Sequence, residues 1–310
     1  MTATMKRMVV DGQTLLGAET GDTFTHPDFR RSGGAAEPSP GTEPDDYLNR
    51  SVFGRLVNDV SDLLTEQGVE VVYGTPNDQS RPGYCRRGGY EEAPGAAARS
   101  WHCPRAPLFR SRFPMGTGAI AARGFDLLGT LLRGPGVATP DTMSIRLGVD
   151  TPETTFQMVD RILDNGPSGP QLAVLQDGAW IRHRYAHHPS QAYVLHIIGP
   201  SSAPTDFIVT RTITRSHGAT TRCIAELSPG LGDDPRLRRS ALRAMTEKAD
   251  DVDTVSIWTD DRRSTRLRMV RSGFIPISTV AVVLGTNAFG RRSIDAGQAF
   301  PMQIGWSDNV

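Results

Sequence analysis

The sequence predicts an α/β protein in two units, each a mixed sheet covered by helices, the first unit shorter than the second. Three observations carry this. The chain has 310 residues, beyond the roughly 100–200 of an ordinary single domain. From Thr142 onward, strand-like and helix-like apolar spacing alternates in the order β, α, α, β, β, β, α, β, α, β, with a hairpin at the centre. Before that run stand a strand pair, an amphipathic helix and a buried strand.

In the first unit Met8 to Val10 reads as a strand. Asp11-Gly12 is a two-residue turn, and Gln13 to Thr25 is a second extended run ended by Pro27. Residues 32–44 are too rich in glycine and proline for regular structure. Leu48, Val52, Phe53, Leu56, Val57, Val60, Leu63 and Leu64 keep three-and-four spacing, which predicts a helix stopped by Gly68, and Val69 to Tyr73 is a short buried strand. Ala93 to Arg112 lacks periodicity and reads as a linker or partly helical connector. The segments expected are therefore 1–98, a connector at 99–140, and 141–310.

In the second unit Thr142 to Val149 is a strand. Asp150, Thr151, Pro152 and Glu153 cap and start a helix that runs to about Asn165, and a second short helix is expected from Gln171. Ala192 to Ile198 is a strand, and Phe207 to Thr214 and Thr220 to Leu227 flank a Ser216-His217-Gly218 turn. Arg236 to Lys248 is helical, Thr254 to Trp258 a strand, and Arg262 to Arg271 a helix closed by Gly273. Thr279 to Leu284 is a strand, with a further one at Gln303 to Trp306.

Composition narrows the function classes. Thirty-four basic and thirty-four acidic side chains cancel, which removes the long-range attraction that nucleic-acid and membrane-surface binders use. No apolar run approaches the ~20 residues of a membrane span and no secretory signal is visible, so a cytoplasmic protein with a small-molecule partner is expected. Cys85, Cys103 and Cys223 are odd in number and widely spaced, which suggests neither a disulfide framework nor a cysteine zinc site. His183, His187 and His188 lack a nearby carboxylate or cysteine, and Pro189 argues against a regular helix, so no metal is expected. Lys6 and Lys248 are the only lysines among many arginines, the composition of a high-GC, bacterial genome.

The element order and two local blocks carry a resemblance. The segment from Gly21 to Ala35 (GDTFTHPDFRRSGGA) holds Arg30, Gly33 and Ala35 in an R-x-x-G-x-G/A spacing. The segment from Val71 to Tyr84 (VVYGTPNDQSRPGY) places Asn77 and Tyr84 at a second fixed spacing. Together they resemble the GNAT superfamily of acyl-CoA-dependent N-acyltransferases, in a tandem form: the first block its fourth strand and phosphate loop, the second its fifth strand and fourth helix. The first copy is partial, lacking the early strands. The second is complete in element order and degenerate in motifs, since Ser228 to Pro235 (SPGLGDDP) lacks the loop pattern. Residues 37–44 separate the first loop from its helix, a departure from the family's pattern.

The resemblance implies acetyl-CoA or another acyl-CoA as co-substrate. Arg30, Arg31, Ser32, Gly33, Gly34 and Ala35, with Asn77, would hold it, because backbone N–H groups in a glycine loop at a helix start receive a pyrophosphate. Tyr84 would protonate the leaving thiolate. For the base that takes the amine proton, Asp22 and His26 share a strand face, which Glu19 does not. Asp22 reads equally as a strand-end cap and His26 as a strand-end hydrogen-bonder. The function expected is N-acetyl transfer to a primary amine of a small molecule such as an amino sugar. The second class compatible with these residues is a catalytically silent binding or scaffolding protein of the same fold.

Overall fold

A computed structural model describes residues 2–21, 52–78, 80–87, 89–93, 98–105, 108, 120, 124, 140–165, 172–215, 218–233, 235–247, 251–260, 263–285 and 303–304. The first hairpin joins β1 (Thr2–Val10) to β2 (Gln13–Gly21). Asp11 and Gly12 both have positive φ, 50° and 78°, the pair a two-residue turn needs to match strand twist, and Val10 pairs directly with Gln13. Helix α1 (Val52–Glu66) lays Val57 and Leu64 on the sheet and ends at Gly68, whose φ of 75° lets Gly68 and Val69 donate back to Thr65 and Leu64. Then come β3 (Val71–Gly74), α2 (Arg81–Arg87) and β4 (Tyr90–Glu92).

Ala98–Pro104 forms β5, with Ala98, Ser100, Trp101 and Cys103 buried. This corrects the connector expected over Ala93 to Arg112: the strand earns its place by pairing with β11 more than 150 residues away, which no local period announces. β6 (Thr142–Arg146) and α3 (Glu153–Asn165) follow as expected. The short helix expected from Gln171 is instead a three-residue strand, β7 (Leu172–Val174), because the open edge of β1 offers it a ladder. Helix α4 (Gly178–Ile181) runs into a π-helical turn over Arg182–Ala186. Next stand β8 (Tyr193–Ile198), β9 (Asp206–Thr214), β10 (Thr220–Leu227), α5 (Pro229–Asp233), α6 (Pro235–Glu247), β11 (Thr254–Asp260) and α7 (Arg263–Arg271). The single strand expected at Thr279 to Leu284 divides into β12 (Ile275–Val280) and β13 (Val283–Gly285), which lie in different sheets. Gln303 and Ile304 are not in a strand.

The six-stranded sheet has the order β4-β13-β3-β2-β1-β7 and the seven-stranded sheet β12-β5-β11-β10-β9-β8-β6. Each centres on one parallel pair, β2 with β3 and β10 with β11. Beside each pair sits a strand borrowed from the far part of the chain: β13 enters the first sheet next to β3, and β5 enters the second next to β11. The exchange is made between strands close in sequence: β5 begins six residues after β4 ends, and β13 begins three residues after β12 ends. The sheets thus cut across the segments 1–98, 99–140 and 141–310.

One core, with Met8, Val10 and Tyr73 on one side and Leu195, Phe207 and Val209 on the other, fills the space between the sheets. A second packs α6 and α7 residues such as Leu242, Met245 and Met269 on the outer face of the second sheet. A third packs α1 and α2 on the first. No helix among the described residues is long and apolar enough to cross a membrane.

Candidate functional site

The parallel ladder of β2 and β3 ends at the pair Thr20 and Gly74, where both strands leave toward a cleft of about 540 Å³. A cavity of this size suits a small-molecule ligand. One wall is Thr20 and Gly21 from β2, the loop after β3 (Thr75, Pro76, Asn77, Asp78, Ser80) and Tyr84 from α2; the other is Trp258 of β11 with Thr279, Val280 and Ala281. The second wall comes from the far part of the chain, and sequence reasoning assigned no residue to it. The exchange of β13 is what brings Ala281 here.

Tyr84 is 3% exposed, and its ring stands edge-on to Phe53 at 5.4 Å and to Tyr90 at 5.1 Å. Two aromatic neighbours from different elements fix the ring at the cleft wall. Asn77, the other expected residue within the described part, starts α2: its side-chain oxygen accepts from the Ser80 backbone N–H at 2.9 Å and from the Ser80 hydroxyl at 3.0 Å. Its carbonyl accepts from the Arg81 N–H at 2.9 Å. Asn77 thus shapes the cleft loop as a helix cap. Asp22, His26, Arg30, Arg31, Ser32, Gly33, Gly34 and Ala35 lie outside the described residues; Gly21, which precedes Asp22, lines the cleft.

Behind the cleft lies a buried ion pair that the sequence did not reveal. Lys6 Nζ sits 2.5 Å from Glu19 Oε2, both side chains wholly buried, and also donates to the Tyr73 hydroxyl at 3.1 Å. Glu19 Oε1 accepts from the Thr75 hydroxyl at 3.2 Å, which links the pair to the cleft wall. A cation and a hydroxyl thus stand on its two oxygens, which offsets the cost of burying the carboxylate. The Lys6 ammonium also faces the ring of Trp180, 5.9 Å from its centroid, so the pair reaches the element that packs on the second sheet.

The second sheet holds a carboxylate of different character. Glu226, 0% exposed, receives Trp180 Nε1 and the Tyr185 hydroxyl on Oε1, each at 2.5 Å, and Gln176 Nε2 on Oε2 at 3.1 Å. No cation stands among these donors. Burial dominates and pushes its carboxyl up to about 7, although the three hydrogen bonds and the field of Arg184 pull the other way. The register of β9 and β10 shifts between Ile224 and Glu226, a bulge that turns the carboxylate inward. Beyond the last β10–β11 pair, Ile224 with Ile257, the Leu227 N–H donates to Gln303 Oε1 at 2.7 Å, and the Leu227 carbonyl accepts from Gln303 Nε2 at 3.2 Å. The sequence signal for Glu226 was a lone acid in the apolar run Cys223 to Leu227. The histidines read as metal-free sit on and after the π-helical turn, where the His187 N–H bonds back to the Arg182 carbonyl at 3.0 Å.

No protein-family profile and no curated protein matches the chain. Solved structures do. A GCN5-related N-acetyltransferase from Anabaena variabilis superposes with a TM-score of 0.53 at 11% identity over 91% of this chain and 58% of its own. Saccharomyces cerevisiae N-myristoyltransferase with bound myristoyl-CoA gives 0.56 at 12% identity over 91% and 62%. A probable N-acyltransferase of unknown function from Enterococcus faecalis gives 0.51 at 13% over 91% and 57%. The likeness is one of fold, a mixed α/β fold, and this chain spans about three fifths of the length of these neighbours.

Proposed function

We propose that the chain is an acyl-CoA-dependent N-acyltransferase that moves an acetyl or related acyl group to a primary amine of a small molecule, in the cleft at the ends of β2 and β3. The observation that carries this reading is the parting of that parallel pair over a ligand-sized cleft with Tyr84 fixed on its wall. The strands are the ones matched by motif to the family's fourth and fifth.

In this reading the glycine loop Arg30 to Ala35 receives the pyrophosphate, with Gly33 and Gly34 baring their N–H groups and Arg30 and Arg31 adding charge. Backbone N–H groups just past Gly21 polarise the thioester carbonyl. The amine attacks that carbonyl and its proton passes to Asp22 or His26. The carbon–sulfur bond then breaks, and the departing thiolate takes the Tyr84 phenol proton. Asn77 holds the loop that positions Tyr84. The wall of Trp258, Thr279, Val280 and Ala281 is the acceptor side. The second sheet takes no acyl-CoA in this reading, since Gln303 already occupies the Leu227 backbone there.

A thiol-release screen with acetyl-CoA over a panel of amines tests the proposal. Tyr84→Phe keeps the packing against Phe53 and Tyr90, so turnover should fall about 10²–10⁴-fold while acetyl-CoA affinity stays the same. Binding of acetyl-CoA without transfer to any amine would favour the catalytically silent alternative. Absence of binding by the wild type would refute both uses of the cleft.

A further inference from the structure

A buried cation on the second sheet lacks the partner its burial demands. Arg211 projects from β9 and is 6% exposed, yet among the described residues no acid pairs with it. Its Nη1 donates to the Tyr193 hydroxyl at 3.2 Å, and its guanidinium lies 5.8 Å from the centre of the Tyr193 ring. Its Nε is buried without any hydrogen-bond partner. A neutral phenol and a ring face are weak compensation for a guanidinium withdrawn from water.

The surroundings add positive charge. His188, whose ring centre is 5.6 Å from that of Tyr193, takes the Ser190 and Gln191 backbone N–H groups on Nδ1, at 3.3 and 3.1 Å. In its neutral form the ring therefore carries its proton on Nε2, a donor. Burial first, then the fields of Arg184 and Arg211, lower the pKa of His188. Arg184 and His188 come from the π-helical turn and the residues after it, a backbone irregularity frequent at binding sites.

Position ties this spot to the cleft. Arg211 pairs with Cys223, Cys223 with Ser256, and the Ser256 hydroxyl bonds the Cys223 sulfur, so all three share one face of the sheet. Trp258, two residues beyond Ser256 on that face, walls the cleft. Ordinary sheet spacing puts the Arg211 and Trp258 backbones about 12 Å apart.

We propose that Arg211, with the His188 ring against its partner Tyr193, is a carboxylate-binding site for the acceptor, which makes the acceptor an amine that carries a carboxylate. The Nε–H and the adjacent Nη–H form one edge of the guanidinium fork, and that edge matches the two oxygens of a carboxylate. The acceptor assignment rests on the transferase reading; the anion site does not.

The test is the ¹H–¹⁵N resonance of Arg211 Nε in the full-length protein, assigned by its loss in Arg211→Lys. Should that variant not fold, Tyr193→Phe, which removes the acceptor on Nη1, shifts the same signal and assigns it. Acetate is titrated against inorganic phosphate and chloride at equal ionic strength. A saturable shift with acetate, at least tenfold tighter than with chloride, is expected. No saturable shift, or one equal with chloride, overturns the site; tighter binding of phosphate overturns the carboxylate assignment. In the transfer assay, Arg211→Lys should raise KM about tenfold for a carboxylate-bearing amine and leave it unchanged for the corresponding amide. Equal KM changes for both refute the acceptor role. If no amine is acylated at all, the transferase reading fails while the resonance still reports on the anion site.

Discussion

At the end of its parallel pair the first sheet opens onto a cleft walled by Tyr84, Thr75 and Trp258, whereas the second sheet fills the corresponding position with its own side chains. There Leu227 is capped by Gln303, and Glu226 is enclosed by Trp180, Tyr185 and Gln176. The two carboxylates near the strand ends differ in the same sense. Glu19 is paired with a lysine; Glu226 has only neutral donors, and burial pushes its carboxyl up to about 7. One strand pattern therefore serves two purposes, and side-chain identity at a few positions decides which.

The comparison breaks most completely if the first sheet can stand alone. A fragment of residues 1–98 lacks β7 and β13, so β1 keeps an open edge and β4 loses the one ladder it has among the described residues. Circular dichroism should show no cooperative unfolding; a sharp transition would mean the borrowed strands are dispensable.

Lys6→Met sharpens the contrast between the carboxylates. It strands Glu19 as a buried charge and should cost about 3–5 kcal/mol in urea unfolding, while Lys6→Met with Glu19→Leu should recover most of it. An equal loss in the double variant would assign the effect to packing.

At Glu226 the prediction is one of pH. Its folded pKa of about 7 lies above the ordinary 4.5, so the folded state holds an extra proton between those values. The stability this supports is full below about pH 4.5 and is lost as pH rises through about 7, a fall of about 3 kcal/mol. Unfolding at pH 5 and pH 8 should show this decline in the wild type and not in Glu226→Gln. The smallest effect concerns Gln303. Its alanine variant loses two hydrogen bonds to Leu227, about 1–2 kcal/mol. Calorimetry should still find one acetyl-CoA per chain; two would show that the second sheet keeps a latent donor site.

How far the sequence was readable follows the range of the interactions. The Asp11-Gly12 turn, the spacing of Phe53, Val57, Val60 and Leu64, and the hairpin around Gly218 are local signals, and their elements formed where expected. β5 and β7 were misread, and the break between β12 and β13 was missed, because each of these strands is short or aperiodic and owes its place to a strand far along the chain. The site divides the same way. The resemblance singled out Tyr84 and Asn77, and both line the cleft. Lys6 and Trp258 were not singled out, since what makes them matter is the approach of Trp180 and of β12 across the fold. That Lys6 is one of two lysines in a chain that otherwise uses arginine was the one visible hint.

The reciprocal placement of β5 and β13 also sets an order of events during synthesis. A nascent chain emerges with β3 and β4 separated by a gap that only residues 283–285 can fill, and with β5 waiting for β11. Neither sheet can close while the ribosome still holds the later strands. Val280 and Ala281, which wall the cleft, emerge just ahead of β13. Ligand-binding competence should therefore arise in one late step, after the whole exchange is released, and not half by half as in tandem proteins whose domains fold in sequence.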